Sequence, residues 1–404
     1  MTQAYVGKQS IKDIDISTKR VLVRVDFNVP IDSGHITDDG RLKAAIPTIK
    51  YLIEKNAKII LCSHLGRPEG QVVPKLSLYH VAKRLEELLG QEVMFISDSV
   101  GSAVESALGH LQIGQVALLE NLRFHPEEER NDPGFAYSLA SLADVFVGDG
   151  FGVSHRAHAS TEGITKYLPS VAGLLMEKEL GVLGSLLRFP EKPMTVILGG
   201  AKVSDKLGVL ENFLDKVDNI LIGGGMAATF IKAQGFETGL SLVEDELIVT
   251  AKEIMEQSVK AGVSLITPYD VVIADAFDKG AVGRTVDTDD IPKDCYIMDI
   301  GHKTLDSFRA HLANSKTILW NGPMGVYEFE QFSRGTREIA ATLGSLTGVT
   351  TVLGGGSTAE AVESLGISSR ITHVSTGGGA SLEFLEGKTL PGVASLLDLE
   401  VSSS

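Results

Sequence analysis

Short apolar, largely β-branched runs alternate with amphipathic stretches along most of the chain. In the first half the runs fall at 21–25, 58–62, 116–119 and 145–147, and each reads as a buried strand. Between the first two, Leu42, Ala45, Ile46, Ile49 and Ile53 recur at helical spacing, predicting a helix over 41–55. A second helix is predicted over 77–89, with Ser77 as its N-cap and Gly90 as its stop. The alternation resumes after residue 190, with strands predicted at 195–198, 219–222, 271–274, 317–320, 350–353 and 372–374. Strands separated by helices of this length mean βαβ units and parallel sheets. A helix predicted over 176–187 joins the halves and ends at Phe189-Pro190-Glu191-Lys192-Pro193. The expected fold is therefore α/β, with two doubly wound parallel-sheet domains joined by that helix.

Composition narrows the partners. The 404 residues are too many for one core, and 43% hydrophobic with 22% charged is ordinary globular usage. The net charge of −15 argues against non-specific binding to nucleic acid or an anionic membrane. Two cysteines cannot build a disulfide framework, which points to the cytoplasm. No apolar run reaches bilayer-spanning length, and residues 1–10 carry no secretory h-region. The charge is uneven: residues 1–170 carry 18 Lys+Arg against 21 Asp+Glu, while 171–404 carry 19 against 31. Seven of the ten histidines also lie in the first stretch. An anion site is therefore expected there.

The loops agree with this. Ligands of open α/β sheets bind beyond the carboxyl ends of the strands. The four first-half strands run into loops carrying Asp26 and Asn28; His64 and Arg67; Arg123; and His155, Arg156 and His158. Parallel topology brings all four loops to one edge, so Arg67, Arg123, Arg156 and His64 are expected to converge on one small polyanion. His155 and His158 lack a third metal ligand at helical spacing and are read as polar loop residues.

The second half has four strand–glycine–helix junctions, at 199–200, 223–225, 354–356 and 377–379. Glycines let a backbone approach a ligand closely, and a helix start offers free N–H groups, so the set points to a polyphosphate. Lys202 and Lys206 are read as lying in the first turns of the helix after Gly199-Gly200, on one face, where an anion would relieve their conflict with the helix dipole. A rival is a dinucleotide fingerprint: Gly223 to Ala228 fits G-x-G-x-x-A, with Glu244 downstream, although that acid reads as a helix start rather than a strand end. Gly387-Lys388-Thr389 fails as a P-loop because Leu382 stands where the motif needs glycine.

These residues resemble the phosphoglycerate kinase family. The matching stretches are Arg24 to Pro30, Ser63 to Pro68, Glu120 to His125, Gly199 to Lys206, Trp320 to Glu328 and Thr372 to Ala380, in family order over nearly the whole chain. The resemblance implies reversible phosphoryl transfer between 1,3-bisphosphoglycerate and ADP, giving 3-phosphoglycerate and ATP, in a glycolytic or carbon-fixing role. It implies a 3-phosphoglycerate-binding domain over 1–172 with 390–404 folded back on it, an interdomain helix over 173–188, and a nucleotide-binding domain over 189–389. Asp26, Asn28, Arg41, His64, Arg67, Arg123 and Arg156 are then expected to bind the acid substrate. Gly200, Ala201, Lys202, Lys206, Gly225, Asn321, Pro323, Glu328, Gly354, Gly355, Gly356, Ser357, Thr358, Gly377, Gly378 and Gly379 are expected to bind the nucleotide. Arg41 and Lys202 are expected to flank the migrating phosphoryl group, with closure of a hinge uniting the two sites. The resemblance also implies Mg²⁺ bound with ATP or ADP, and a monomer. One residue departs from the pattern: the family usually has Asp where this chain has Ser357, so the metal ligand at that position is Ser357 or absent. A catalytically inactive binding protein of the same fold is the remaining rival, and Ser357 is the one feature favouring it.

Overall fold

A computed structural model describes residues 7–399, without the side chain of Ser357. The described chain forms two compact units, one taking everything up to Gly184 and again from Thr389, the other Ser185–Lys388. The division falls inside the helix Leu174–Arg188 rather than on either side of it.

The first unit holds β1 (Arg20–Arg24), a hairpin of β2 (Ile31–Asp32) and β3 (His35–Ile36), β4 (Lys58–Cys62), β5 (Val93–Ile96), β6 (Val116–Leu119), β7 (Val145–Gly148) and β8 (Ser170–Ala172). Six strands make one sheet in the order β5-β6-β4-β1-β7-β8, and every pair is parallel. The helix Gly40–Glu54 returns the chain from β1 to β4 and buries Leu42, Ala45, Ile49 and Leu52 on the core that holds Val21, Val23, Ile59 and Leu61. The strands at the sheet's two edges, β5 and β8, are absent from the periodicity reading. The second predicted helix runs Tyr79–Leu89, and its N-cap is Leu78 rather than Ser77. Ser77 instead donates its hydroxyl to Glu120 at 2.6 Å while accepting the Tyr79 N–H at 3.2 Å. Gly90 ends the helix in the left-handed conformation, its N–H returning to Glu86.

The second unit holds β9 (Met194–Leu198), β10 (Asn219–Ile222), β11 (Ser264–Ile266), β12 (Asp270–Ala274), β13 (Arg284–Asp287), β14 (Tyr296–Ile300), β15 (Thr317–Asn321), β16 (Thr350–Gly354) and β17 (His373–Val374). Its parallel sheet runs β11-β10-β9-β15-β16-β17 around a core containing Ile197, Leu221, Trp320 and Leu353. The run at 271–274 corrects the expectation: β12 pairs antiparallel with β13 and β14 in a separate small sheet. A buried run of apolar residues looks the same in either sheet, so periodicity cannot tell them apart. The parallel strand in that region is β11.

Candidate active site

In the first unit, the loops after β1, β4, β6 and β7 emerge at the carboxyl edge of the sheet. Backbone and amide hydrogen bonds lock them together. Asn28 Oδ1 accepts the Gly66 N–H at 2.9 Å, and Ser63 Oγ accepts the Phe27 N–H at 2.9 Å. Asn121, fully buried, accepts from Leu65 and Arg123 N–H groups and donates to the Leu65 and Leu76 carbonyls. Asn28 thus has its side-chain carbonyl committed to a neighbouring loop.

The cationic side chains gather around His64, which is buried. Burial first, then Arg24, Arg123, Arg156 and Arg41, hold its ring well below the usual imidazole range. The end of β1, the start of the helix Gly40–Glu54 and the segments after β6 and β7 thus all bring positive charge to bear on one ring. Arg123 is 3% exposed; it donates to the Gly66 carbonyl at 2.8 Å, and its Nε lies 3.1 Å from Glu129 Oε1 without hydrogen-bond alignment. Arg41 pairs with Asp26 at 2.5 Å. Arg156 is half-buried and its Nε donates to His155 Nε2 at 3.3 Å. Arg67 is exposed and makes no hydrogen bond or ion pair among the described residues. His158 is drawn down to about 3, by burial and then Arg24, so it is a neutral ring beside Glu128 and not a cation.

Arg24 opens one of the stretches that carry the family resemblance, yet no role is expected for it or for its supports. Arg24 closes β1 almost fully buried, where pattern reading expects an apolar side chain. The identity of its partners, Ser160 and Glu128, depends on loops meeting from distant parts of the chain.

In the second unit the same edge carries the glycine junctions after β9, β10, β15 and β16. Those after β9, β10 and β15 wall a cavity of about 460 Å³ lined by Gly200, Ala201, Gly224, Gly225, Pro323 and Glu328, with Leu240, Leu242, Phe277, Met298 and Val326 completing it. A cavity of this size with mostly apolar walls and glycine backbone suits a planar base with attached phosphates. Gly322 is essential to its shape. Its φ is +96°, and a Cβ there would stand 2.2 Å from the Gly199 carbonyl oxygen. Leu240, Leu242 and Phe277 come from loops and not from sheet strands, so nothing in the sequence marks them.

The loop 199–206 departs from the sequence reading. The helix that follows begins at Leu207, so Lys202 and Lys206 lie on an irregular loop and share no helix face. The Val203 and Ser204 N–H groups go to the Glu244 carboxylate, at 2.6 Å and 3.1 Å, which ties this loop to a distant part of the chain. Lys202 is exposed near that carboxylate. Lys206 is only 8% exposed, and its ammonium makes no hydrogen bond or ion pair among the described residues. Burial lowers its pKa, against Asp205 and Glu386. An unpartnered buried cation marks a place for an anion. Asn321 adds a second such group, since its side-chain nitrogen is buried without a partner at the end of β15. Thr358, by contrast, accepts the Gly322 N–H at 2.7 Å and so holds the loop. Gly354 ends β16, Gly355 has φ +96° and Gly356 begins a helix. Gly378 has φ +52°, Gly377 donates to Ser375 Oγ at 3.2 Å, and Gly379 opens the helix Gly379–Leu385.

Glu244 also removes the dinucleotide rival. The acid that a dinucleotide site keeps for a ribose is spent on the 203–204 backbone. As for metal, no three His, Cys, Asp or Glu side chains come together among the described residues. The Ser357 side chain lies outside them, and Glu360 accepts the Tyr327 hydroxyl at 2.8 Å. The described residues therefore do not fit a protein-built Mg²⁺ cage.

A family model described as phosphoglycerate kinase matches residues 11–388. The chain belongs to the phosphoglycerate kinase family. A phosphoglycerate kinase of Pelotomaculum thermopropionicum is 54% identical over 393 residues, covering 97% of this chain and 100% of the relative. One from Gloeothece citriformis is 55% identical over 386 residues, covering 95% and 96%. Among solved structures, the phosphoglycerate kinase of Coxiella burnetii superposes with a TM-score of 0.87 at 40% identity, covering 96% of this chain and 98% of its own. That of Pyrococcus horikoshii gives 0.85 at 35%, with the same coverage. The family's two-domain α/β architecture is the one described above.

Proposed function

We propose that this chain catalyses reversible phosphoryl transfer between 1,3-bisphosphoglycerate and ADP, yielding 3-phosphoglycerate and ATP. The observation that carries the reading is the pairing, in one chain of this family, of Arg41, Arg123 and Arg156 acting on His64 in one unit with a glycine-walled cavity in the other. The first suits a small phosphorylated acid, because arginine forks match phosphate and carboxylate oxygens. The second suits a nucleotide.

The acid's non-reacting phosphate is held by His64, Arg67, Arg123 and Arg156, and its glycerate portion by Asp26 and Asn28. Arg41 reaches the acyl-phosphate end. The base and ribose occupy the cavity, with Glu328 at a ribose hydroxyl. Lys202, Lys206, Asn321 and the backbone of Gly354–Gly356 and Gly377–Gly379 meet the phosphates. An ADP β-phosphate oxygen attacks the acyl phosphorus in line. The new P–O bond forms as the bond to the carboxyl oxygen breaks, and the carboxylate leaves. The attacking oxygen is already anionic, so no general base is required. Arg41 and Lys202 neutralise the three oxygens of the group in transfer. Hinge closure is part of the reaction because the ligands begin on separate units. Mg²⁺ arrives with the nucleotide, since it keeps waters and phosphate oxygens rather than needing a protein cage. Two unpaired buried thiols, Cys62 and Cys295, fit a cytoplasmic enzyme, and we read it as a monomer.

The test is a coupled assay with 3-phosphoglycerate and Mg-ATP. Turnover that depends on both substrates is expected; turnover of neither would return the chain to the inactive-scaffold reading.

A further inference from the structure

We propose that Arg24 is a positioning residue that holds His64 in the neutral tautomer protonated on Nε2, so that the ring offers the bound acid one directed N–H donor and no charge. The inference rests on reading the first-unit loops as the acid's site.

Arg24 ends β1 at 2% exposure. Its guanidinium is fixed on two sides: Nε donates to Ser160 Oγ at 2.7 Å, and one terminal nitrogen donates to the Val25 carbonyl. Ser160 is fixed in turn, donating its hydroxyl to Glu128 Oε1 at 2.6 Å and its N–H to Oε2 at 3.0 Å. Glu128 is fully buried, so this anchor does not drift with solvent. The remaining terminal nitrogen of Arg24 stands 3.4 Å from His64 Nδ1. A guanidinium carries only donors and does not lose its proton in a protein. The nitrogen it faces must therefore present a lone pair, which leaves the ring proton on Nε2.

The other groups facing His64 leave this unchanged. Among the described residues, Asp26 Oδ1 is the one carboxylate oxygen within ion-pair distance of Nδ1, at 3.9 Å, farther than Arg24, and Asp26 is already paired with Arg41. Arg41, at the start of the helix Gly40–Glu54, and Arg123 and Arg156, after β6 and β7, all oppose a second ring proton. Charge at the site is thus assigned to arginines, which do not titrate, and direction to the histidine. The protein's side of the grip then keeps one charge state across the usual imidazole range.

The experiment is a long-range ¹H–¹⁵N correlation spectrum of the full chain labelled at histidine, with His64 assigned by His64→Gln. The expected spectrum shows the Nε2–H pattern, unchanged from about pH 5.5 to 8. A proton on Nδ1, or titration near 6.5, would overturn the proposal. Arg24→Lys keeps the charge but cannot span Ser160, Val25 and His64 together. It is expected to give mixed tautomers and to raise KM for 3-phosphoglycerate roughly tenfold, with kcat within a few-fold. A pure Nε2–H signal with unchanged KM in that variant contradicts the proposal. Should Arg24→Lys not fold, Ser160→Ala serves: mixed tautomers support the anchor and an unchanged spectrum refutes it. If His64 shows the expected tautomer but 3-phosphoglycerate moves none of its signals, the positioning stands and the reading of the loops as substrate site falls.

Discussion

Lys206 and Asp299 show how single residues are priced by burial. Lys206 is a mostly buried cation with no hydrogen bond or ion pair among the described residues, and burial opposes its charge. Lys206→Met should therefore raise the stability of the unliganded protein by about 1 kcal/mol in urea titrations, while losing nucleotide affinity. A variant less stable than wild type would mean the ammonium has an internal partner. Asp299 is buried beside the nucleotide cavity and accepts N–H bonds from Gly335 at 2.7 Å and Ile300 at 2.9 Å. Burial nevertheless pushes it up to about 7, from 3.8. The native state thus keeps a proton that the unfolded chain has released, and stability from this group falls as pH rises from about 4 to about 7. Across that window Asp299→Asn should gain on wild type, by a few kcal/mol at most; parallel stability curves would deny the shift. The types and order of Lys206, Arg123 and His64 are plain in the sequence. Their burial is not, because it depends on loops arriving from elsewhere.

Helices and strands were legible where the period was long and the ends were marked. The helix Gly40–Glu54 shows its face, and Gly90 marks a stop that the backbone conformation requires. Two misreadings involve a partner distant in sequence: Glu120 takes the Ser77 hydroxyl, and Glu244 takes the Val203 and Ser204 N–H groups. In the third, β12 joins its chain neighbours β13 and β14 in a second sheet. At this scale the junction after β15 is the most exacting part of the proposed nucleotide site. Gly322→Ala forces a Cβ against the Gly199 carbonyl at a positive φ, so the loops after β9 and β15 must part. The expected cost is about 3 kcal/mol. Calorimetry should show lost ADP binding with 3-phosphoglycerate binding retained; native ADP affinity would show that the two loops need not touch.

In the whole molecule each unit is expected to take one ligand, and the reaction to need both. Arg41 belongs to the acid's unit yet is expected to act on the group in transfer. Arg41→Ala should lower kcat by about 10²–10³ with a smaller change in KM for 3-phosphoglycerate; kcat within a few-fold of wild type would remove Arg41 from the transition state. The division of labour is tested most directly by crossed calorimetric titrations of two variants. Arg123→Met should abolish 3-phosphoglycerate binding and leave ADP binding within a few-fold of wild type, and Lys206→Met should do the reverse. If either substitution weakens both ligands equally, or acts on the ligand of the other unit, the two grips are not where this account puts them.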